Sequence, residues 1–389
     1  MHILESHASY DNLKIDLPQI YEKYYPVNAE KYITIDVSSV KNQENYDFWK
    51  IAIDMAQRFL TFKSISIIQI GEKEQPALGD VEDLLGKLDV NQKAYVLKNS
   101  LLHIGNNNIS AHIASFFNVK CLTLFDNDFI DQAKPYWSKD SFFVGLTPER
   151  DTLPPQISNK KEINKIRPED ISEKIINLLG EDFSKVFKTL RIGNLFMKRK
   201  IESSMSSLVP NIQNYGIESL ICRMDYEFNE KVLVNQLQLC KCSIVTTKPI
   251  NLKILKLFRH NILEILYIVE EDNDSSFVES VNKMGIKIGL NTYLSEKEIN
   301  KYKINYLDLP QNINIVKTKA LKDINKESLD KVFYKSNKFI LHDGKIYPSK
   351  SALNRNQSCE NFNPPFFSTY NEDDFWREID YLYLVEKKD

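Results

Sequence analysis

The feature that most constrains this chain is a hydrophobic period that switches back and forth along it. YITIDVSS (32–39) is a β-branched run ending in small polar residues, and DFWKIAIDMAQRFL (47–60) then spaces its apolar residues as a helix does. SISIIQIG (64–71) is a short apolar run closed by glycine, and VEDLLGKL (81–88) reads as a short helix or turn. NQKAYVLKNS (91–100) reads as helix, LLHIG (101–105) as strand, SAHIASFF (110–117) as helix and CLTLFD (121–126) as strand. RPEDISEKIINLLG (167–180) is a further helix, with proline and acids at its start and Gly180 at its end. Alternation at these lengths predicts a parallel, doubly wound sheet.

A second alternation runs from about 215 to 330. ESLICRMD, CSIVTT, ILEILYIVE, IKIGL and INYLDL read as strands, with helical segments between them. KFILHDGKIYP (338–348) has the form of a hairpin turning at Asp343-Gly344, and FWREIDYLYLVE (375–386) suits either a helix or a strand. The expected fold class is therefore α/β. It comprises a domain over 1–180, a connector over 181–214, a second α/β domain over 215–330, and a C-terminal extension of hairpin, loop and tail over 331–389.

Composition narrows the function. With 51 basic and 53 acidic side chains the net charge is −2, which argues against a broad electrostatic grip on nucleic acid. The opening MHILESHASYDNLKID has charges where a signal peptide needs an apolar run, and no stretch nears the length of a membrane span. The expected location is cytoplasmic. Of the five cysteines only Cys240 and Cys242 lie close together, and they read as a buried reduced pair. No second Cys/His pair accompanies them, so no metal site is expected.

The chemistry concentrates in IGNNNISAHIA. Gly105 ends a strand and the next helix begins near Ser110, at the C-terminal edge of a parallel sheet. Free N–H groups and the positive end of the helix dipole make that the seat for a diphosphate. Asn108 or Ser110 caps the helix or bonds a phosphate oxygen. His112 donates to a departing diphosphate or packs against the loop. Ser38, Ser39 and Lys41 follow the first strand and face the same place from the other side, unless Lys41 is an ordinary surface lysine. The acids Glu270, Glu271, Asp272 and Asp274 follow a strand end and face either a site or solvent.

The run from Ile67 to Phe125, with its glycine turn, its Gly-Lys-Leu segment and His112-Ile113-Ala114 after a strand-loop, resembles the donor-binding half of heptosyltransferase-type glycosyltransferases. Together with NLKIDLPQIYEKYYPVNAEKYITI upstream, the resemblance covers about residues 12–150. It implies two Rossmann-like, doubly wound domains of the GT-B kind. It also implies a nucleotide-sugar donor and metal-independent transfer without a cofactor, to a glycan, lipid-linked or other hydroxylated acceptor. Gly71 and Glu72 match the turn where that family contacts the nucleoside. The family's Asp-Ser-Gly positions are Asn107, Asn108 and Ile109 here, and its glycine after the next strand is Asp126. The donor-like half comes first in this chain, so either the domain order is permuted or a different domain follows. With a permuted acceptor domain, the catalytic base corresponds to Asp225, which can equally cap the next helix. The alternative is a non-catalytic relative that retains the fold for binding or scaffolding.

Overall fold

The computed structural model describes residues 2–39, 45–79, 81–126, 130–148, 161–183, 185–270, 275–302, 313–316 and 326–388. The chain divides into two compact units, Met1–Phe187 and Lys188–Asp389.

In the first unit the strands are β1 (Tyr32–Asp36), β2 (Ser66–Gln69), β3 (Glu82–Asp83), β4 (Leu102–Asn106), β5 (Lys120–Leu124) and β6 (Phe143–Leu146). They form one parallel sheet in the order β3-β2-β1-β4-β5-β6. The direction of winding reverses at β1 and β4, which places helices on both faces. On one face, helix Trp49–Phe62 buries Trp49, Ala52, Ala56 and Leu60 at helical spacing, beside Ile171 and Ile175 of helix Pro168–Leu178. On the other, Ala94 and Leu97 of helix Val90–Lys98 pack with Ile113 and Ala114 of helix Ile109–Phe116. β1 and β4 are buried throughout, as expected for strands covered on both sides.

The second unit differs from the doubly wound domain expected of it. Its strands are β7 (Phe187–Ile192, which opens at the unit boundary), β8 (Lys200–Ser203), β9 (Leu220–Arg223), β10 (Cys242–Thr246), β11 (Ile262–Ile268) and β12 (Ile288–Thr292). They continue with β13 (Ile313–Ile315), β14 (Val332–Ser336), β15 (Lys338–His342), β16 (Lys345–Tyr347), β17 (Phe367–Ser368) and β18 (Leu382–Lys387). The large sheet has the order β13-β12-β11-β10-β9-β8-β15-β16, parallel except for β16. From β8 to β13 the strands advance in chain order without reversing. Right-handed crossovers then carry the intervening helices to one face. Leu233, Leu237, Leu255, Phe277, Val278 and Val281 accordingly share a single core with Ile201, Cys222 and Ile244 from the strands.

The segment read as a connector contains β7 and β8, and the segment read as an extension supplies β14 to β18. Both are built into the second unit's sheets. The expected hairpin is present: β15 and β16 pair antiparallel around Asp343 and Gly344, at φ 47° and 72°. FWREIDYLYLVE divides, its first residues in helix Asp373–Arg377 and its last in β18. β14 and β18 pair in a small sheet over a core of Tyr334, Phe375, Trp376 and Leu384. INYLDL lies outside the described residues. Among the described residues no helix is long and apolar enough to cross a membrane.

Candidate functional site

In a doubly wound sheet, ligands approach where the strand order reverses, beyond the strand ends. Here that point lies between β1 and β4. Their register brings Asp36 opposite Gly105, so closely that a β-carbon on Gly105 would meet the Asp36 carbonyl oxygen at 2.2 Å. Only glycine fits there, and the close approach draws the two following loops together.

The loops meet on Asp36, whose side chain is 1% exposed. Its Oδ1 accepts from the Ser38 N–H at 3.0 Å and the Ser38 hydroxyl at 2.5 Å, and its Oδ2 accepts from the Ser110 hydroxyl at 2.5 Å. Asn108 is the N-cap of helix Ile109–Phe116, its Oδ1 accepting from the N–H groups of Ser110 and Ala111. Its Nδ2 donates to the Ser38 carbonyl at 3.0 Å and the Ser38 hydroxyl at 3.2 Å. The helix start thus has its capping acceptor and a carboxylate near its positive end, both supplied by the chain itself. Polar capacity remains beside it. Among the described residues the side-chain oxygens of Asn106 and Asn107 are buried without a hydrogen-bond partner, while Asn106 Nδ2 donates to the Val37 carbonyl at 2.7 Å.

The structure therefore brings together Ser38, Gly105, Asn107, Asn108 and Ser110. Gly71 and Glu72 follow β2, with the Glu72 side chain exposed. Lys41 lies outside the described residues, as do Glu271, Asp272 and Asp274. His112 is half-buried in the second turn of its helix. Burial and the charge of His2 hold its pKa below the ordinary histidine value, and it makes no side-chain hydrogen bond among the described residues. Exposed Ile109 opens the helix where the resembling family has glycine.

Asp225 belongs to the second unit. Both its oxygens are engaged by Arg223, with Nε donating to Oδ1 at 2.8 Å and Nη2 to Oδ2 at 2.7 Å. The cap of helix Glu230–Leu239 is Asn229 instead, accepting from the Val232 N–H. Both carboxylate oxygens are thus tied into a bidentate guanidinium pair. Below it lies a buried ion network. Glu202 accepts from Arg223 at 2.7 Å and Lys338 at 3.1 Å, and Lys338 also donates to Glu378 at 2.7 Å. Burial disfavours the charge on Glu202, but Arg223 and Lys338 outweigh it and hold its pKa below the usual carboxylate range.

Asp36 and the Glu202 network were not among the expected site residues. The available signal was a charge interrupting a short apolar strand, as in YITID, KIES and LICR. Cys240 and Cys242 are free thiols with sulfurs 3.8 Å apart. Among the described residues no group of three or more His, Cys, Asp or Glu side chains could hold a metal ion.

No family model matches the chain, and no curated protein matches it. Similar solved structures include a glycosyl transferase family 9 protein from Veillonella parvula, at 14% identity and TM-score 0.31 over 45% of this chain and 50% of that one. Another is the E. coli ADP-heptose lps heptosyltransferase II, at 12% identity and TM-score 0.32, with the same shares. A third is the dodecameric iron-containing heptosyltransferase TibC in complex with ADP-D-beta-D-heptose, at 14% and 0.32 over 40% and 47%. The chain spans about half the length of these solved proteins.

Proposed function

We propose that the first unit is a glycosyltransferase-like, Rossmann-type domain whose diphosphate seat is filled by its own side chains, and that the chain serves as a binding or scaffold protein. The observation that carries this reading is the buried Asp36 carboxylate bonded to Ser110 at the helix start. A diphosphate there would set like charges within a few ångströms. At ~4 Å and an effective dielectric of ~20, that repulsion is about 4 kcal/mol. Asn106 and Asn107 instead offer buried oxygens that accept from hydroxyl or N–H groups. The ligand favoured at this edge is neutral and hydroxyl-rich, such as a nucleoside or a glycan.

A second reading, metal-independent sugar transfer from a nucleotide-sugar to a hydroxylated acceptor, is favoured by the convergence of Ser38, Gly105, Asn107, Asn108 and Ser110 on one edge. The two readings separate in a binding experiment. Thermal unfolding is followed with nucleosides, their diphosphates and nucleotide-sugars, for the native chain and for Asp36→Asn. On our reading, phosphates add no affinity to the native chain and gain it in the variant, because binding to the native state raises the melting temperature by mass action. A base-selective diphosphate shift in the native chain, reduced in Asn107→Ala, would replace our reading with the transferase.

A further inference from the structure

The second unit has a cavity of about 390 Å³ beyond the C-terminal ends of β9 to β13. Polar ligands are commonly taken at that edge of a parallel sheet. Its walls show an imbalance between acceptors and donors. Asp225 in the wall is occupied by Arg223, and Glu202, which does not line the cavity, by Arg223 and Lys338. Glu378 accepts from Lys338 at 2.7 Å and from the Lys350 backbone N–H at 2.9 Å. Asp374 accepts from Arg377 at 3.1 Å and from Asn354 at 3.2 Å. Only exposed Glu270, on the rim, has an uncommitted carboxylate among the described lining residues.

The donors are less fully committed. Lys350 is half-buried, its Nζ 3.9 Å from the centre of the Tyr226 ring, and it has no ion-pair partner among the described residues. Burial draws its pKa below the ordinary lysine value against the pull of Asp374, and Arg223 adds to the lowering. The buried Nε of Arg377 likewise lacks an acceptor among the described residues, while that guanidinium stacks 4.6 Å from the Tyr293 ring. Lysine and arginine carry donors and no acceptors, so a partner for them must bring oxygen acceptors.

We infer that this cavity binds a small molecule bearing an oxyanion, with its carboxylate or phosphate group against Lys350 and Arg377 and its body between Tyr226 and Tyr293. The paired network beneath supplies a rigid floor, and the ring faces fix the two cations. The site lies wholly within the second unit, so it stands independently of the reading given for the first.

The test uses the native chain. Acylation of individual lysines by a succinimidyl ester is followed by mass spectrometry, in sodium chloride and in inorganic phosphate or malonate at matched ionic strength. At ligand about ten times its Kd, modification of Lys350 slows about tenfold, while exposed Lys345 is unaffected. Protection by phosphate alone or by malonate alone identifies the anion class. Absence of protection by either at saturating millimolar concentration, or equal slowing at Lys345, overturns the inference. Ligand-induced thermal stabilisation measured in parallel falls in Lys350→Gln and is partly retained in Lys350→Arg.

Discussion

Both units end their parallel strands in charged residues, and they accommodate those charges in opposite ways. At the β1/β4 edge a single carboxylate, Asp36, is surrounded by neutral donors: two hydroxyls and a backbone N–H. At the corresponding edge of the second unit, carboxylates are matched by lysine and arginine, and the cations carry more donors than the carboxylates use. The first arrangement occupies the place where an anion would sit. The second leaves cationic groups facing a cavity. Strand ends of two parallel sheets can therefore present opposite charge, decided by which side chains complete the polar contacts.

The largest effect expected from breaking this contrast is on the ion network. Lys338→Met leaves Glu202 paired only with Arg223, and Glu378 only with a backbone N–H. Stranding buried charge in this way costs about 3–5 kcal/mol. Hydrogen exchange in β8, β9 and β15 reads the loss locally, and adding Glu378→Gln recovers part of it. A loss under about 1 kcal/mol would mean that water reaches the network and that the floor of the cavity is not rigid.

The next effect belongs to the first unit and to acid. His103, on β4, is fully buried and bonded through Nδ1 to the Thr34 hydroxyl at 3.0 Å. Burial lowers its pKa from 6.5 to about 4; Asp36 opposes this and Lys93 assists it. Below pH 6.5 the unfolded chain takes up a proton that the folded chain refuses until about pH 4. Stability is therefore lost as pH falls through that window, by about 3 kcal/mol at its foot. His103→Gln should remove this component of the slope. If hydrogen exchange of β1 and β4 is as pH-dependent in the variant as in the native chain, His103 is not its source.

The first unit was largely legible because its helices and strands each carry a clear period, from Trp49–Phe62 to Lys120–Leu124. Period alone does not reveal strand order. LICR and CSIVT look alike whether the chain reverses or advances, so the second unit's one-sided sheet and the incorporation of residues 331–388 were not evident. The candidate site was half legible. Asn108 and Ser110 announce a helix start, but Asp36 lies 72 residues away from Asn108 and meets it only through pairing of β1 with β4. Asp225 looked like a free base because its partner Arg223 lies two residues earlier on the same strand end, where periodicity says nothing about side-chain pairing.

The smallest effect isolates that junction. Asn108→Ala removes the acceptor for the N–H groups of Ser110 and Ala111, and with it the donor to Ser38. Loss of such a cap costs about 1–2 kcal/mol. Ser110 and Asp36 remain bonded, so the carboxylate still occupies the helix start and the variant should gain no affinity for diphosphates. Asp36→Asn makes the complementary change: the cap stays and the charge goes. If Asn108→Ala alone admits a diphosphate, the amide rather than the carboxylate is what closes the seat. The contrast between the two units would then rest on steric occupancy at the first and on charge at the second.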